Sequence, residues 1–168
     1  MRIIHGDTRI YRGDLPHLQR QGASYFVTAR IADSMPRELV ESIRIEEKRI
    51  LAKSNKPNLT AEEEVAIQRQ RSLLFARYDD YLDHGMTGPQ WMKDPRCADL
   101  VCSAILKEDG VNAEIECFTV MSNHIHLLLT PYPNWELYRI TKHIKQESSY
   151  SVPADHSFRS TVLGVGES

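Results

Sequence analysis

The alternation of apolar and polar residues predicts three β-strands in this chain. Residues 24–32 are rich in β-branched and aromatic side chains, and their apolar density is typical of a central strand. Residues 111–121 and 124–130 are two further apolar stretches, separated only by a break at Ser122 and Asn123. The short break favours an antiparallel pair for these two strands.

Between the first strand and the other two, the period of the pattern becomes helical. Apolar residues three and four positions apart predict a helix with Ser34 as its N-cap and Pro36 just inside its start. Thr60 followed by Glu63 is a capping-box pattern, which predicts the start of a second helix. We therefore expect a helical hairpin over about residues 36–83. The pattern favours a solvated insertion, with contact to DNA or to a second subunit as the alternative.

Two more helices complete the predicted fold. Asp94 followed by Pro95 is typical of an N-cap and a first helical turn, and Gly110 is the expected C-cap of that helix. One face of it is apolar: Ala98, Val101, Cys102 and Ile105. Residues 136–150 form the last predicted helix, and residues 1–23 an irregular lead-in. Apart from the hairpin, the order is β-α-β-β-α, an α/β (α+β) fold with the ferredoxin-like order but without its last strand.

Composition places the chain among ordinary globular domains. It has 168 residues, of which 41% are hydrophobic and 26% charged, and we expect one domain. No apolar stretch is long enough for a membrane span, and the N-terminus lacks a signal peptide, so we expect a cytoplasmic protein. Three cysteines without metal-site spacing argue against a disulfide framework. The net charge of −2 gives no global argument for nucleic-acid binding, but the acidic excess lies in residues 61–116.

His124 and His126 are the first candidates for chemistry. Residues two apart on a strand share a face, so both imidazoles are expected on one face and Ile125 and Leu127 on the other. Two adjacent imidazoles suit a divalent metal ion. The same spacing also occurs in strands with two half-buried histidines and no chemistry, and the pattern alone leaves both interpretations open. A histidine-triad hydrolase would need a third histidine at position 128, where this chain has leucine.

Three separated stretches carry a resemblance to a known family. They are Leu15-Pro-His17 with residues 22–36, residues 81–85 with 91–106, and residues 117–130, which include Met121-Ser-Asn-His-Ile-His126. In this order they resemble the HUH single-tyrosine transposases, in particular the REP-associated branch with an inserted helical hairpin. The family usually has proline where this chain has Ser122.

The resemblance implies a function in DNA transposition. These proteins cleave and join single-stranded DNA, often beside a hairpin, through a covalent phosphotyrosine intermediate. By position, His124 and His126 would bind Mg²⁺ or Mn²⁺. Arg139, Lys142 and Lys145 on the last helix are candidate contacts to DNA phosphates, with solvated surface as the alternative. The family often works as a homodimer, although some members act as monomers.

The resemblance is expected to end near residue 150. The family continues with another strand and a helix that carries the nucleophilic tyrosine and a third metal ligand. Residues 151–168 show none of these motifs and form a divergent tail. We therefore expect a domain at 1–150 that is truncated or frame-shifted. Among the tyrosines after the histidines, Tyr150 is the best candidate to replace the missing nucleophile, since a dimer could bring a helix of the second chain to the site. Tyr132 and Tyr138 are more typical of packing residues.

Whether the chain is an enzyme is therefore left open by its sequence. One alternative is a non-catalytic module that binds single-stranded nucleic acid, in which Tyr25 or Phe26 could stack on bases. Another is an inactive remnant, because an unfinished sheet exposes an unpaired edge.

Overall fold

The computed structural model describes residues 8–11, 17–84 and 88–150, with side chains for residues 20–84 and 88–149. The elements follow in chain order: β1 Thr8–Tyr11, β2 His17–Arg20, β3 Tyr25–Arg30, α1 Arg37–Ser54, α2 Ala61–His84, a single 3-10 turn Trp91–Lys93, α3 Pro95–Leu106, β4 Ala113–Val120, β5 His124–Pro131 and α4 Leu137–Tyr150. The predicted tail at 151–168 lies outside the described residues.

The chain divides into two compact units. The sheet unit comprises Met1–Ala32 and Pro89–Ser168, and the hairpin unit comprises Asp33–Gly88. In chain order, the hairpin unit is therefore inserted into the sheet unit between β3 and α3.

The sheet unit is built on three antiparallel strands in the order β3-β5-β4. This is the strand order of a ferredoxin-like β-α-β-β-α arrangement, and it confirms the predicted fold class. The central strand of the described sheet is β5, however, and β3 lies at its edge, so within the described residues β3 does not have the central position that its apolar pattern predicted. The apolar density of β3 reflects the burial of one of its faces on the helices, and in the part of the chain that the structure describes β3 pairs with β5 alone.

One face of this sheet packs on α3 and α4. Alternation along β5 turns Ile125, Leu127 and Leu129 to that face, and each is no more than 1% exposed. The core that they form is completed by side chains from the other elements: Ala29, Ile31, Met92, Val101, Ala104, Ile105, Ala113, Ile140 and Ile144. Burial of this contiguous apolar cluster fixes β5 in register and leaves its second face for the histidines.

The hairpin unit has a smaller core of its own. Six side chains are buried in it: Met35, Ile43, Ile50, Ile67, Leu74 and Leu82. The predicted capping box is present, because Thr60 N–H donates to Glu63 Oε2 at 2.9 Å and Glu63 N–H donates to Thr60 Oγ1 at 3.2 Å. Ser34 does not cap α1, which begins at Arg37 after Pro36. Ser34 is instead fully buried.

Gly88, the last residue of the hairpin unit, lies against Asp33, the first residue of the same unit. Its φ of +90° lies in the left-handed region, and a Cβ at this position would clash with the carbonyl oxygen of Asp33. Glycine is required here because the two ends of the insertion pass too close for a side chain.

Three local predictions differ from the structure or gain detail from it. Residues 8–20 contain an antiparallel strand pair, β1 with β2, instead of an irregular lead-in. Asp94 caps α3 as predicted, with its carboxylate accepting from Arg96 N–H at 2.9 Å. The helix ends earlier than expected, with Lys107 as its C-cap, and Gly110 (φ +69°) lies in the following turn. Within the described part of the chain, none of the helices has the length and apolarity to cross a membrane.

Candidate metal centre and the sheet face around it

His124 and His126 lie side by side at the start of β5, on the sheet face opposite the helices. Their Nε2 atoms are 3.0 Å apart, and their rings meet edge-on with centroids 4.7 Å apart. His124 is fully buried, whereas His126 is partly exposed. The predicted sharing of one face is therefore confirmed, and the two side chains converge through the same pair of nitrogens.

Each imidazole is held by an oxygen at its other nitrogen. Asn123 Oδ1 lies 2.7 Å from His124 Nδ1, and Thr28 Oγ1 lies 3.1 Å from His126 Nδ1. An amide oxygen can only accept, so His124 Nδ1 donates, and in the neutral ring Nε2 then carries a lone pair. Thr28 Oγ1 can accept from His126 in the same way. Such second contacts orient metal-binding histidines and fix their tautomer.

Asn123 is itself fixed by the turn between β4 and β5. It is 2% exposed, and its backbone carbonyl accepts from Ile31 N–H at 2.8 Å. Met121 N–H donates to the His124 carbonyl at 2.8 Å, which closes the turn, and Met92 N–H donates to the Ser122 carbonyl at 3.1 Å. The residues that the sequence showed as a break are thus a rigid support for the first histidine.

The geometry of the two Nε2 atoms fits a shared cation. If both histidines carry Nε2 lone pairs, these lone pairs repel at 3.0 Å unless a proton or a cation lies between them. Two nitrogens in neighbouring positions of an octahedral ion, each about 2.1 Å from it, would be about 3.0 Å apart. The donor set therefore fits a divalent ion with octahedral preference.

The strand register defines what surrounds the pair. We call the site face the set of side chains that share the histidine face on the three strands: Phe26, Thr28 and Arg30 on β3, His124, His126 and Leu128 on β5, and Cys117 and Thr119 on β4. Thr28 is opposite His126, and Arg30 is opposite His124. A register shift between Ile115 and Cys117 brings Cys117 opposite Leu128.

Arg30 on β3 and Lys145 on α4 are close enough to affect each other electrostatically. Lys145 on α4 is partly buried, and this burial, with a smaller contribution from the nearby Arg30 guanidinium, lowers its pKa below the ordinary lysine value. A bound anion would stabilise the charged form of Lys145, because it would offset both the partial burial and the repulsion from Arg30.

The other predicted site residues are placed differently. Arg139 and Lys142 are exposed on α4, where Arg139 Nε pairs with Glu136 Oε2 at 3.5 Å and the Lys142 ammonium lies 6.0 Å from the Tyr138 ring centroid. The predicted basic face is therefore divided between two exposed cations and the partly buried Lys145. Tyr150 ends α4, and its side chain lies outside the described residues.

Thr28, Asn123 and Arg30 were not predicted as parts of this site. Asn123 could have been found, because it directly precedes the first histidine and an amide oxygen is a common partner for Nδ1–H. Thr28 and Arg30 gave no such signal. Their position depends on the pairing of β3 with β5, which the sequence does not specify by itself.

Part of the chain matches the model of a known protein family. Residues 95–163 match the model described as IS200-like transposase, a segment that contains α3, β4, β5, α4 and both histidines. The match continues past residue 150, where the resemblance was expected to end. No curated protein and no solved structure matches the chain significantly. Residues 95–163 are therefore similar to the IS200-like transposases, which supports the resemblance that the motifs of the sequence carry.

Proposed function

We propose that this chain acts in DNA transposition as a metal-dependent protein that cleaves and joins single-stranded DNA. The observation that carries the proposal is the imidazole pair, with Nε2 atoms 3.0 Å apart and both Nδ1 atoms held by oxygens, inside the segment that matches the transposase family. Single-stranded DNA that contains a hairpin is the proposed substrate, and a homodimer is an arrangement that the test below would detect.

His124 and His126 would hold the ion. Imidazole nitrogen is a better ligand for Mn²⁺ than for Mg²⁺, which prefers oxygen, so Mn²⁺ is the ion of choice for testing. A divalent ion bound there would polarise a DNA phosphate and stabilise the negative charge that develops on it. Asn123 and Thr28 keep the imidazoles in place, so the ligands need little reorganisation.

Arg30 and Lys145 would attract the phosphate. Arg30 is opposite His124 on the site face, and the burial that lowers the pKa of Lys145 on α4 makes a phosphate partner for this lysine more favourable than one on the surface. The exposed Arg139 and Lys142 add positive charge along α4 and are proposed to contact the DNA backbone.

Tyr150 is the candidate nucleophile. Tyr25 is unsuitable because it points to the opposite face from Phe26 and its hydroxyl donates to the Arg20 carbonyl at 3.1 Å while accepting from Arg20 N–H at 2.6 Å. Tyr150 ends the helix that carries the three basic residues, and a second copy of the chain could present the same helix end. Its phenolic oxygen would bond to the phosphorus as the bond to the leaving sugar oxygen breaks.

A covalent adduct is the decisive measurement. The full chain would be mixed with hairpin-containing single-stranded DNA and Mn²⁺ and analysed on a denaturing gel. The proposal predicts an adduct that needs Mn²⁺ and is lost in His126→Ala and Tyr150→Phe, while Tyr138→Phe keeps it. Mixing inactive His126→Ala with Tyr150→Phe would restore the adduct if the tyrosine acts across a dimer.

Other outcomes of the same experiment would redirect the proposal. An adduct that persists in Tyr150→Phe would assign the nucleophile elsewhere. No adduct from the wild-type chain, together with DNA binding that weakens with salt, would contradict the enzyme and favour a non-catalytic binding module.

A further inference from the structure

Phe26 is an exposed aromatic side chain beside the candidate metal ligands. It is 54% exposed, although it lies within a strand, and its ring stacks on the His126 ring with centroids 5.3 Å apart and planes 24° apart. Its neighbour Tyr25 faces the other way, is partly buried and has both hydrogen-bonding roles of its hydroxyl filled. An aromatic ring kept on a solvated sheet face is the kind of surface on which single-stranded nucleic acids stack.

The site face changes character along its length. Arg30 and His124 lie at one end, Thr28 and His126 follow, and Phe26 and Leu128 come next. Beyond them the face becomes acidic and polar, because Thr130 donates to Glu116 Oε1 at 3.1 Å. The aromatic ring is thus between a cationic end, which suits a phosphate, and an acidic end, which repels one.

The spacing fits one nucleotide. Residues on the same face of a strand are about 7 Å apart, so Phe26 is one such step from Thr28 and His126. A phosphate beside the two histidines would leave its attached base within reach of the Phe26 ring. Leu128 and Thr119 on the neighbouring strands are uncharged, so a base could lie there without displacing a charged group.

We propose that Phe26 is a positioning residue that stacks on a nucleobase and so places the adjoining phosphate at His124 and His126. This inference rests on the proposed function of the same site. It specifies the ligand further: the site recognises an unpaired nucleotide with its base, because a base in a duplex keeps its faces covered by its neighbours.

The competing role for Phe26 is support of His126. Stacking on an imidazole could hold the ring in place for a metal ion without any contact to DNA. The two roles differ in what they require of the ligand. A supporting ring acts on every phosphate ligand equally, whereas a stacking ring acts only when a base is present.

The test compares oligodeoxyadenylate with a deoxyribose-phosphate chain of the same length that lacks bases. Fluorescence anisotropy would give the affinity of the full chain for each, with Mn²⁺ present. We expect wild type to prefer the oligonucleotide with bases by about tenfold, toward the low end of what one stacked base contributes. Phe26→Ala should lose that preference, and Phe26→Trp should keep it.

Two controls separate stacking from folding and from metal binding. Phe75→Ala removes a phenylalanine of similar exposure, 42%, from α2 and should leave the preference unchanged. Mn²⁺ affinity, measured by electron paramagnetic resonance, should be unaltered in Phe26→Ala, and its circular dichroism spectrum should match wild type.

Each remaining outcome contradicts the inference in a distinct way. A preference that persists in Phe26→Ala, or a loss of Mn²⁺ affinity with equal weakening of both ligands, would overturn base stacking and leave the proposed function standing. If wild type binds neither ligand with Mn²⁺, the proposed function and this inference both fail.

Discussion

The sheet unit and the hairpin unit are stabilised in different ways. In the sheet unit, a core of twelve buried side chains continues from the strands into α3 and α4. In the hairpin unit, six buried side chains line two long helices whose remaining surface is charged. Its polar contacts are exposed, such as Arg77 with Glu46 at 3.4 Å and Lys56 with Glu63 at 2.9 Å. Exposed pairs of this kind contribute little stability.

The two candidate metal-binding histidines lie in the more densely packed sheet unit. The histidines, their oxygen partners and the aromatic ring of the site face all belong to the sheet unit, and the family match begins at residue 95, after the hairpin unit. A densely packed core lets a strand hold two imidazoles in one arrangement, because the packed face cannot slip without exposing its apolar residues.

Shortening one buried side chain in each of the two cores is the strongest test of this contrast. Leu129→Ala in β5, at a residue with no exposure, should lower the free energy of unfolding by about 2–5 kcal/mol. Leu74→Ala in α2, at 7% exposure, should cost less, because the smaller core is nearer to solvent and can relax. Urea denaturation followed by circular dichroism measures both, with the exposed Val65→Ala as the control. An equal or larger loss for Leu74→Ala would contradict the contrast.

Closure of the insertion provides the second test. Gly88→Ala should lower the free energy of unfolding of the hairpin unit by about 1–3 kcal/mol, because alanine disfavours the positive φ and its Cβ meets the Asp33 carbonyl. Gly110→Ala is a matched control, with φ +69° but open space around the position of its Cβ. Limited proteolysis should show faster cleavage within residues 33–88 only for Gly88→Ala. Equal effects of both substitutions would mean that backbone strain alone is responsible.

Two threonines with different tasks give a third test. Thr28→Val removes the oxygen partner of His126 and should weaken Mn²⁺ binding by about tenfold with little change in stability. Thr60→Val removes the cap of α2 and should lower stability by about 1 kcal/mol with unchanged Mn²⁺ affinity. Titration calorimetry and urea denaturation measure both quantities for both variants. A fall in Mn²⁺ affinity caused by Thr60→Val would show that the contrast between the units is false.

The smallest expected effect concerns Lys145. Burial and Arg30 lower its pKa in the folded state, so the unfolded chain binds the proton more tightly. Stability should therefore rise with pH between that lowered pKa and the ordinary value of 10.5, and level off above it. Lys145→Met should remove this rise and increase stability at neutral pH, whereas the exposed Lys142→Met should not. The difference between the two urea denaturation series isolates the effect from other titrating groups.

Local patterns in the sequence predicted what depends on local structure. The capping box of Thr60 and Glu63, the Asp94 cap and the shared face of the two histidines each involve residues within four positions of one another. Predictions that required long-range information were less accurate. Three features depend on which strands pair: the position of β3 at the edge of the described sheet, the pairing of β1 with β2, and the role of Thr28. The apolar pattern alone does not determine which strands pair.

The Thr28–His126 hydrogen bond also has a consequence for folding kinetics. It joins residues 98 positions apart, whereas the two histidines are neighbours on one strand beside a tight turn. Contacts between distant residues form more slowly than local ones, because the intervening loop must close first. During synthesis β3 emerges early and must wait for β5. His126 is therefore in place beside His124 before Thr28 can orient its ring, and under the proposed function full metal affinity would arise only when β3 joins the sheet.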